Sequence, residues 1–321
     1  MEKIMRRFLL ITCMSVSMFM SGCVYSYDAD GNEMSKEQME ETVGNRNIKK
    51  NMKKEITDEI DKVLPDSGPA ITEVDWEHYF DGINGAAVVY TPSDNSYQIY
   101  NQAVALSQHS PCSTFKIVSS LIALENKIVV PEDSVRTWSG EVFWNENWNR
   151  DIDWADSFRT SCVWYFREII DEIGMELMQE ELDELYYGNC DISDWEGFMN
   201  THNSNQALNG FWIESSLKIS PKEQVEVMER IFGEQSVYSQ KTQNYLKQVM
   251  LVQEQQNADI SIYGKTGMGI SQENLVDTWF TGFADTINGR SYFCVYMRDV
   301  EEKNGSSAKA KEAAIELLQN L

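Results

Sequence analysis

One stretch of this sequence is apolar on nearly every side of a helix: Phe115, Ile117, Val118, Leu121, Ile122 and Leu124 leave no polar face. A helix of that kind must be covered all round, so it belongs in the middle of a domain. Segments of β character lie on both sides of it in the chain. Ala86 to Tyr90 and Ser96 to Tyr100, separated by the turn-forming Thr91 to Asn95, read as a hairpin. Ile260 to Tyr263, Trp279 to Ala284 and Tyr292 to Met297 read as strands, followed by an alanine-rich helix over Ala308 to Leu318. The intervening region is helical in pattern, with helices predicted near Val163 to Met178 and Pro221 to Phe232. Strands from both ends of a sequence around a helical middle predict an α+β fold: a central antiparallel sheet flanked by helices, with an inserted helical lobe.

The first residues belong to a different regime. Lys3, Arg6 and Arg7 precede the apolar run Phe8 to Met20, which is too short to span a bilayer comfortably and reads as the core of a signal peptide over 1–22. The run ends in Met20-Ser21-Gly22-Cys23, which resembles a bacterial lipobox. That resemblance implies lipidation of Cys23 and anchoring to the outer face of the cell membrane, with an ordinary secretory signal as the alternative. Residues 23–70 are polar and charged, include Pro65-Asp66-Ser67-Gly68-Pro69, and read as a tether. The remaining 71–321 form the predicted catalytic domain.

Charge and cysteine usage exclude several functions. The formal net charge is -24, a surface that repels phosphate backbones, so nucleic-acid binding is not expected. The cysteines at 13, 23, 112, 162, 190 and 294 match no zinc spacing. With only His78, His109 and His202 and no His-Glu-x-x-His, no metal site is expected. The last four cysteines are expected to be free thiols, mostly buried; whether Cys112 and Cys162 influence the serines beside them is left open.

Chemistry enters with Ser113-Thr114-Phe115-Lys116 at the start of the apolar helix. A serine hydroxyl is a poor nucleophile at neutral pH, and a lysine three residues on along a helix shares its face. Ser-x-x-Lys also occurs at Ser215 to Lys218 and Ser306 to Lys309, so context distinguishes the first. Ser113 stands near a helix N-terminus, whose free N–H groups can stabilise an oxyanion. Phe115, Ile117 and Val118 surround Lys116, and burial lowers a lysine pKa, freeing the amine to act as a base or to combine with carbon dioxide. Downstream, Ser161-Cys162-Val163 offers a hydroxyl for proton transfer and an apolar wall. Tyr187-Gly188-Asn189 reads as a strand-to-turn junction. Lys265-Thr266-Gly267 places a cation and a hydroxyl on a strand edge, suited to a substrate carboxylate, with a glycine that lets a ligand approach the backbone.

Taken in order, Ser113-Thr-Phe-Lys116, Ser161-x-Val163, Tyr187-Gly-Asn189, Phe211-Trp212-Ile213-Glu214 and Lys265-Thr-Gly267 resemble the class D, oxacillinase-type serine β-lactamases over roughly Trp76 to Leu321. The resemblance implies the fold shared by serine β-lactamases and penicillin-binding proteins, and hydrolysis of β-lactams through an acyl-enzyme on Ser113. It implies that Lys116 is carboxylated by carbon dioxide and serves as general base, with Trp212 donating its indole N–H to the carbamate. No other cofactor is implied. Ser161 would pass a proton to the β-lactam nitrogen, Val163 would shape the pocket, and Tyr187 and Asn189 would belong to the substrate region. Lys265, Thr266 and Gly267 would hold the substrate carboxylate, and the backbone N–H groups of Ser113 and Met268 would form the oxyanion hole. Members of this family often carry an arginine near the C-terminus for that carboxylate; here the candidates are Lys309, which is preferred, and Lys311. Neither has the bidentate fork of arginine.

Rival readings share these motifs. A penicillin-recognising sensor keeps its acyl group, and such sensors are usually part of a longer membrane protein. A D,D-peptidase usually carries asparagine where Val163 stands. A lipid-anchored binding module would not need the full set of reactive residues.

Overall fold

The computed structural model describes residues 16–20, 23–27, 68–254, 260–270, 275–299 and 307–321. The chain divides into two units, 1–68 and 69–321. In the first, strand β1 (Val16–Met20) pairs antiparallel with β2 (Cys23–Tyr27). The rest of the expected signal segment and most of the tether lie outside the described residues. No helix among the described residues is long and apolar enough to cross a membrane.

The second unit is built on a seven-stranded sheet of β3 (Ala70–Glu73), β4 (Asn84–Thr91), β5 (Ser96–Tyr100), β6 (Leu251–Glu254), β7 (Ile260–Ile270), β8 (Val276–Thr286) and β9 (Gly289–Asp299). Their spatial order is β3-β5-β4-β9-β8-β7-β6. The expected hairpin is present as β4 and β5, and every pairing is antiparallel except that of β3 with β5. β3 carried no alternation in the sequence because all four of its residues are exposed.

Two-residue alternation sorts the sheet's side chains into two cores. Ala86, Val88, Tyr292, Cys294, Tyr296, Trp279 and Phe283 face one, while Ala87, Val89, Phe293, Val295, Met297, Phe280 and Ala284 face the other. The second core is closed by Ala310, Ala313, Ala314, Leu317 and Leu318 of the C-terminal helix, Ser307–Gln319. Small alanines let that helix lie close against the strands.

The first core joins the sheet to the helical lobe. In chain order the remaining helices are α1 (Gln102–Ala105), α2 (Lys116–Glu125), α3 (Trp154–Arg159), α4 (Val163–Ile173), α5 (Met175–Leu185), α6 (Pro221–Phe232) and α7 (Gln240–Met250), so the C-terminal helix is α8. α2 is buried from Lys116 through Leu124, as its all-round apolar sequence requires. α6 matches the predicted helix and starts on a capping box between Ser220 and Glu223, with Pro221 in the first turn. The single helix expected over 163–178 is two helices, because Gly174 at φ 76°, ψ 159° breaks the run between α4 and α5. That backbone geometry is open to glycine and strained for other residues.

Candidate active site

The segment Cys112–Phe115 forms a single 3-10 turn that leads directly into α2. Ser113 therefore sits at the helix N-terminal end, beside a cleft of about 380 Å³ whose walls include Val163, Ile213, Glu214 and Met268. Lys116, the first residue of α2, donates from Nζ to Ser113 Oγ at 3.2 Å. Its side chain is 1% exposed, and its Nζ lies 5.1 Å from the centre of the Phe166 ring. Burial lowers its pKa to about 8, against a weaker opposite effect from the thiols of Cys162 and Cys112. Near neutral pH a usable fraction of this amine is uncharged and able to take the Ser113 proton.

Ser161 lies in the turn between α3 and α4 at φ 56°, a left-handed backbone that is uncommon for a residue with a β-carbon. Lys265 of β7 reaches it from the sheet, with Nζ 2.5 Å from Ser161 Oγ and 3.0 Å from the Thr266 carbonyl. Lys265 is 4% exposed. Burial first, then the charges of Lys116 and Lys311, hold its pKa well below the ordinary lysine value. Of the two C-terminal candidates, Lys311 is the one whose charge bears on Lys265.

Glycines allow the sheet to approach the nucleophile. A β-carbon on Gly267 would stand 2.9 Å from the Pro111 carbonyl oxygen and 3.0 Å from Thr114 Cγ2. β7 can therefore lie directly on the 112–115 turn, and it brings Met268, 50% exposed, to the same cleft as Ser113. Thr266 beside it is half-buried.

Trp212 is fully buried, stacked near Phe115 with ring centres 6.2 Å apart. Its carbonyl accepts from Cys112 N at 2.9 Å and from Ser110 Oγ at 3.1 Å, which ties the nucleophile's turn to this segment. Its indole Nε1–H has no hydrogen-bond partner among the described residues. A buried donor without an acceptor is costly, on the order of 1–3 kcal/mol. An orphaned N–H on the ring that stacks near Phe115, the residue before a buried, partly neutral amine, fits a carbamate on Lys116. Val163, at the start of α4, is 9% exposed and lines the cleft.

Tyr187 and Asn189 are placed differently from the rest. Tyr187 is buried behind the turn, edge-on to Phe115 at 5.5 Å. Asn189 knits two loops together: its Nδ2 donates to the Ser216 carbonyl at 2.8 Å and its Oδ1 accepts from Lys218 N at 2.9 Å. Neither side chain lines the cleft. Gly188 between them is at φ 54°, and a β-carbon there would meet the Lys218 carbonyl oxygen at 1.9 Å. The motif ties the 187–190 loop to residues 216–218 behind the turn that carries Ser113.

Glu214 and Trp144 are among the side chains of the cleft to which the sequence gives no role. Glu214, 5% exposed, accepts from Cys112 Sγ at 3.4 Å and lines the cleft with it. Trp144, 76% exposed, forms part of the rim and meets Trp148 edge-on at 5.0 Å. Glu214 was visible as the fourth residue of Phe211-Trp-Ile-Glu, but nothing local reveals that it is buried. Cys112, Cys162, Cys190 and Cys294 are all free thiols. Ser215, of the second Ser-x-x-Lys match, is buried and donates to Asp194 Oδ2 at 2.5 Å. Among the described residues no group of histidine, cysteine and carboxylate side chains could hold a metal ion.

Comparison with known proteins places this geometry. The family model described as the penicillin binding protein transpeptidase domain matches residues 84–319. Regulatory protein BlaR1 of Bacillus licheniformis is 29% identical over 77% of this chain and 39% of its own length, so the chain spans about two fifths of that relative. The solved C-terminal domain of the Bacillus licheniformis BlaR penicillin-receptor is 29% identical, with a TM-score of 0.69 over 80% of this chain and 98% of that one. The class D β-lactamase from Bacillus subtilis is 30% identical, with a TM-score of 0.66 over 77% of this chain and 95% of that one. The match over 84–319 and the likeness to a solved class D β-lactamase show that this chain belongs to the penicillin-binding transpeptidase-domain family and, within it, to the class D serine β-lactamases.

Proposed function

We propose that this protein hydrolyses β-lactam antibiotics through an acyl-enzyme on Ser113. The observation that carries the reading is a pair of serine–lysine contacts, Lys116 with Ser113 at 3.2 Å and Lys265 with Ser161 at 2.5 Å, whose two lysines are near enough that the charge of Lys116 acts on Lys265. As Ser113 Oγ bonds to the lactam carbonyl carbon, its proton passes to the side chain of Lys116. The developing oxyanion faces the backbone N–H groups of Ser113 and Met268. Cleavage of the C–N bond leaves a nitrogen that needs a proton; Ser161 Oγ, hydrogen-bonded to Lys265, delivers it and is reprotonated with the proton that Lys116 took from Ser113, which returns Lys116 to its basic form. A water then gives its proton to the same Lys116 side chain as its oxygen bonds to the acyl carbon, and that proton passes to Ser113 Oγ as the C–O bond to Ser113 breaks and the acid is released. Lys265, Thr266 and Lys311 offer positive charge and a hydroxyl to the substrate carboxylate.

Carbon dioxide bound to Lys116 as a carbamate would supply an anionic base with two oxygens, and Trp212 Nε1 is the donor that would hold it. The orphaned indole and the lowered lysine pKa support this assignment.

The test is turnover of a chromogenic cephalosporin or penicillin by purified protein, with and without bicarbonate. Sustained turnover that rises with bicarbonate is expected. Stoichiometric labelling of Ser113 without turnover would favour the second reading, a β-lactam sensor, which the similarity to the BlaR penicillin-receptor domain supports. For location, we propose export and lipid anchoring through Cys23, consistent with the basic start and the apolar run Phe8 to Met20. Cys23→Ser should release the protein from membranes; a wild type already fully released would reject the anchor.

A further inference from the structure

Glu214 has no place in the mechanism above, yet it is a buried carboxyl on the wall of the cleft, and its surroundings are unusual. Both Glu214 and Cys112 have left-handed backbones, each at φ 49°, where a residue with a β-carbon is strained. Strain of this kind persists only where neighbouring structure enforces it. Here the enforcement is a lacing of the two turns. Glu214 N donates to Ser110 Oγ at 2.8 Å, Ser110 Oγ donates to the Trp212 carbonyl at 3.1 Å, and Cys112 N donates to the same carbonyl at 2.9 Å. The Glu214 carboxyl then extends beyond its own turn. Oε1 accepts from Cys112 Sγ at 3.4 Å, and a β-carbon on Gly269 of β7 would stand only 2.0 Å from the same oxygen.

Cys112 is the residue before Ser113, and Gly269 is the residue after Met268. We propose that Glu214 is a positioning residue for the oxyanion hole, its carboxyl wedged between the Cys112 thiol and the backbone of Gly269 so that it sets the spacing of the Ser113 and Met268 N–H groups. The inference rests on the acyl-enzyme reading given above. Catalysis by such donors depends on fixed geometry, and a displacement of about 1 Å in a catalytic arrangement can reduce rate on the order of 10²-fold.

The wedge is built for the neutral acid. From the turn it faces the Cys112 thiol, from β8 it faces Asp277, and Lys218 lies further along its own segment. Asp277 is engaged by Arg298 Nε at 3.1 Å and by the Tyr296 hydroxyl at 2.8 Å, both from β9. Burial and the charge of Asp277 raise the Glu214 pKa to about 7, against weaker opposing effects from Lys218, Cys112 and Arg298. Ionisation above that pH puts a second negative charge beside Asp277 in a dry wall and favours withdrawal of the carboxyl toward solvent.

The experiment is the rate of covalent labelling of Ser113 by a fluorescent penicillin, which reads acylation whether or not the acyl group is later released. Wild type, Glu214→Gln and Glu214→Ala are compared from about pH 6 to about pH 8, on either side of the carboxyl's titration. Glutamine keeps the size and the acceptor oxygen but cannot ionise, so the ratio of its rate to wild type should rise severalfold as pH passes through 7. Taking a ratio cancels the titration of Lys116, common to both proteins. Alanine should be slower on the order of tenfold or more at both ends of the range. Gly269→Ala, which fills the space Oε1 occupies, should slow labelling in the same way and provides a second route if Glu214→Ala does not fold. Labelled wild type with a pH-independent Gln-to-wild-type ratio, or alanine variants as fast as wild type, overturns the positioning role alone. A wild type that no penicillin labels overturns the acyl-enzyme reading and this inference with it.

Discussion

Lys265 and Ser161 are 104 residues apart in sequence, and their side chains meet at 2.5 Å, bringing the sheet against the helical lobe. The lysine is buried and its pKa is held well below the ordinary value, so its charge is sensitive to whatever else enters the cleft. A substrate carboxylate would favour its charged form, coupling substrate binding to the hydrogen bond that orients Ser161.

If Ser161 delivers the proton to the leaving nitrogen, Ser161→Ala should reduce acylation by about 10²-fold or more, the usual range for loss of a general acid. Substrate binding should change much less. Single-turnover kinetics measures the two separately; a Ser161→Ala enzyme that acylates at the wild-type rate would remove the residue from the proton path.

Carboxylation of Lys116 can be detected without activity. Protein equilibrated with ¹³C-bicarbonate should show a carbamate carbon resonance that is absent from Lys116→Ala. Trp212→Phe keeps the buried ring but removes the N–H that has no other partner. It should retain the resonance only at bicarbonate concentrations raised about tenfold, corresponding to about 1.4 kcal/mol for one hydrogen bond to a charged group. An unchanged bicarbonate dependence would detach Trp212 from the group.

The two displaced pKa values also predict how stability varies with pH. Lys116 has a folded pKa of about 8 against an ordinary 10.5, so between those values the unfolded chain binds more protons and stability rises with pH. Below about pH 8 the charged amine carries its full burial penalty, at most about 3 kcal/mol. In buffer free of carbon dioxide, Lys116→Met should therefore raise the melting temperature at neutral pH, with the gain fading toward pH 10.5. Calorimetry at several pH values checks it.

Glu214 has the opposite sign. Its folded pKa of about 7 exceeds the ordinary 4.5, so the folded chain binds more protons in that interval and stability falls as pH rises through it. Glu214→Gln should be close to wild type in stability near pH 4.5 and more stable above pH 7, by at most about 3 kcal/mol. Denaturant midpoints at the two pH values would show it, and equal differences at both would contradict the burial argument.

Gly188→Ala should destabilise the fold through its backbone. The position is at φ 54° and the added carbon would stand 1.9 Å from the Lys218 carbonyl oxygen, so both strain and overlap act against it. A loss of about 3 kcal/mol or more is expected, at the severe end of single substitutions. A urea midpoint unchanged from wild type would mean that the 188–190 and 216–218 loops separate easily.

Much of this molecule could be read locally. The apolar periodicity of α2, the β4–β5 hairpin and the alanine-rich α8 are short-range patterns, and they stand where the sequence puts them. The helix expected over 163–178 breaks at Gly174, where the freedom of glycine to leave helical geometry outweighs the surrounding apolar pattern. Asn189 binds the backbone of residues 216–218, a partner no local pattern announces. Lys309 and Lys311 are equivalent by composition, and only the fold brings the charge of Lys311 to bear on Lys265.

What the sequence by itself determined was the order of elements and the set of reactive side chains. The turn before α2, the serine and lysine three residues apart, and the strand carrying Lys265 are consequences of neighbours in the chain. Tertiary structure alone decided which of those groups meet and in what state of charge. Ser161 touches Lys265, and Glu214 touches Cys112, across more than a hundred residues. Burial lowers the lysine pKa and raises that of the carboxyl because desolvation depends on everything packed around a group rather than on its own sequence. For that reason Ser113 and Ser215, alike as Ser-x-x-Lys matches, end as a nucleophile candidate on a cleft and a buried loop tie to Asp194.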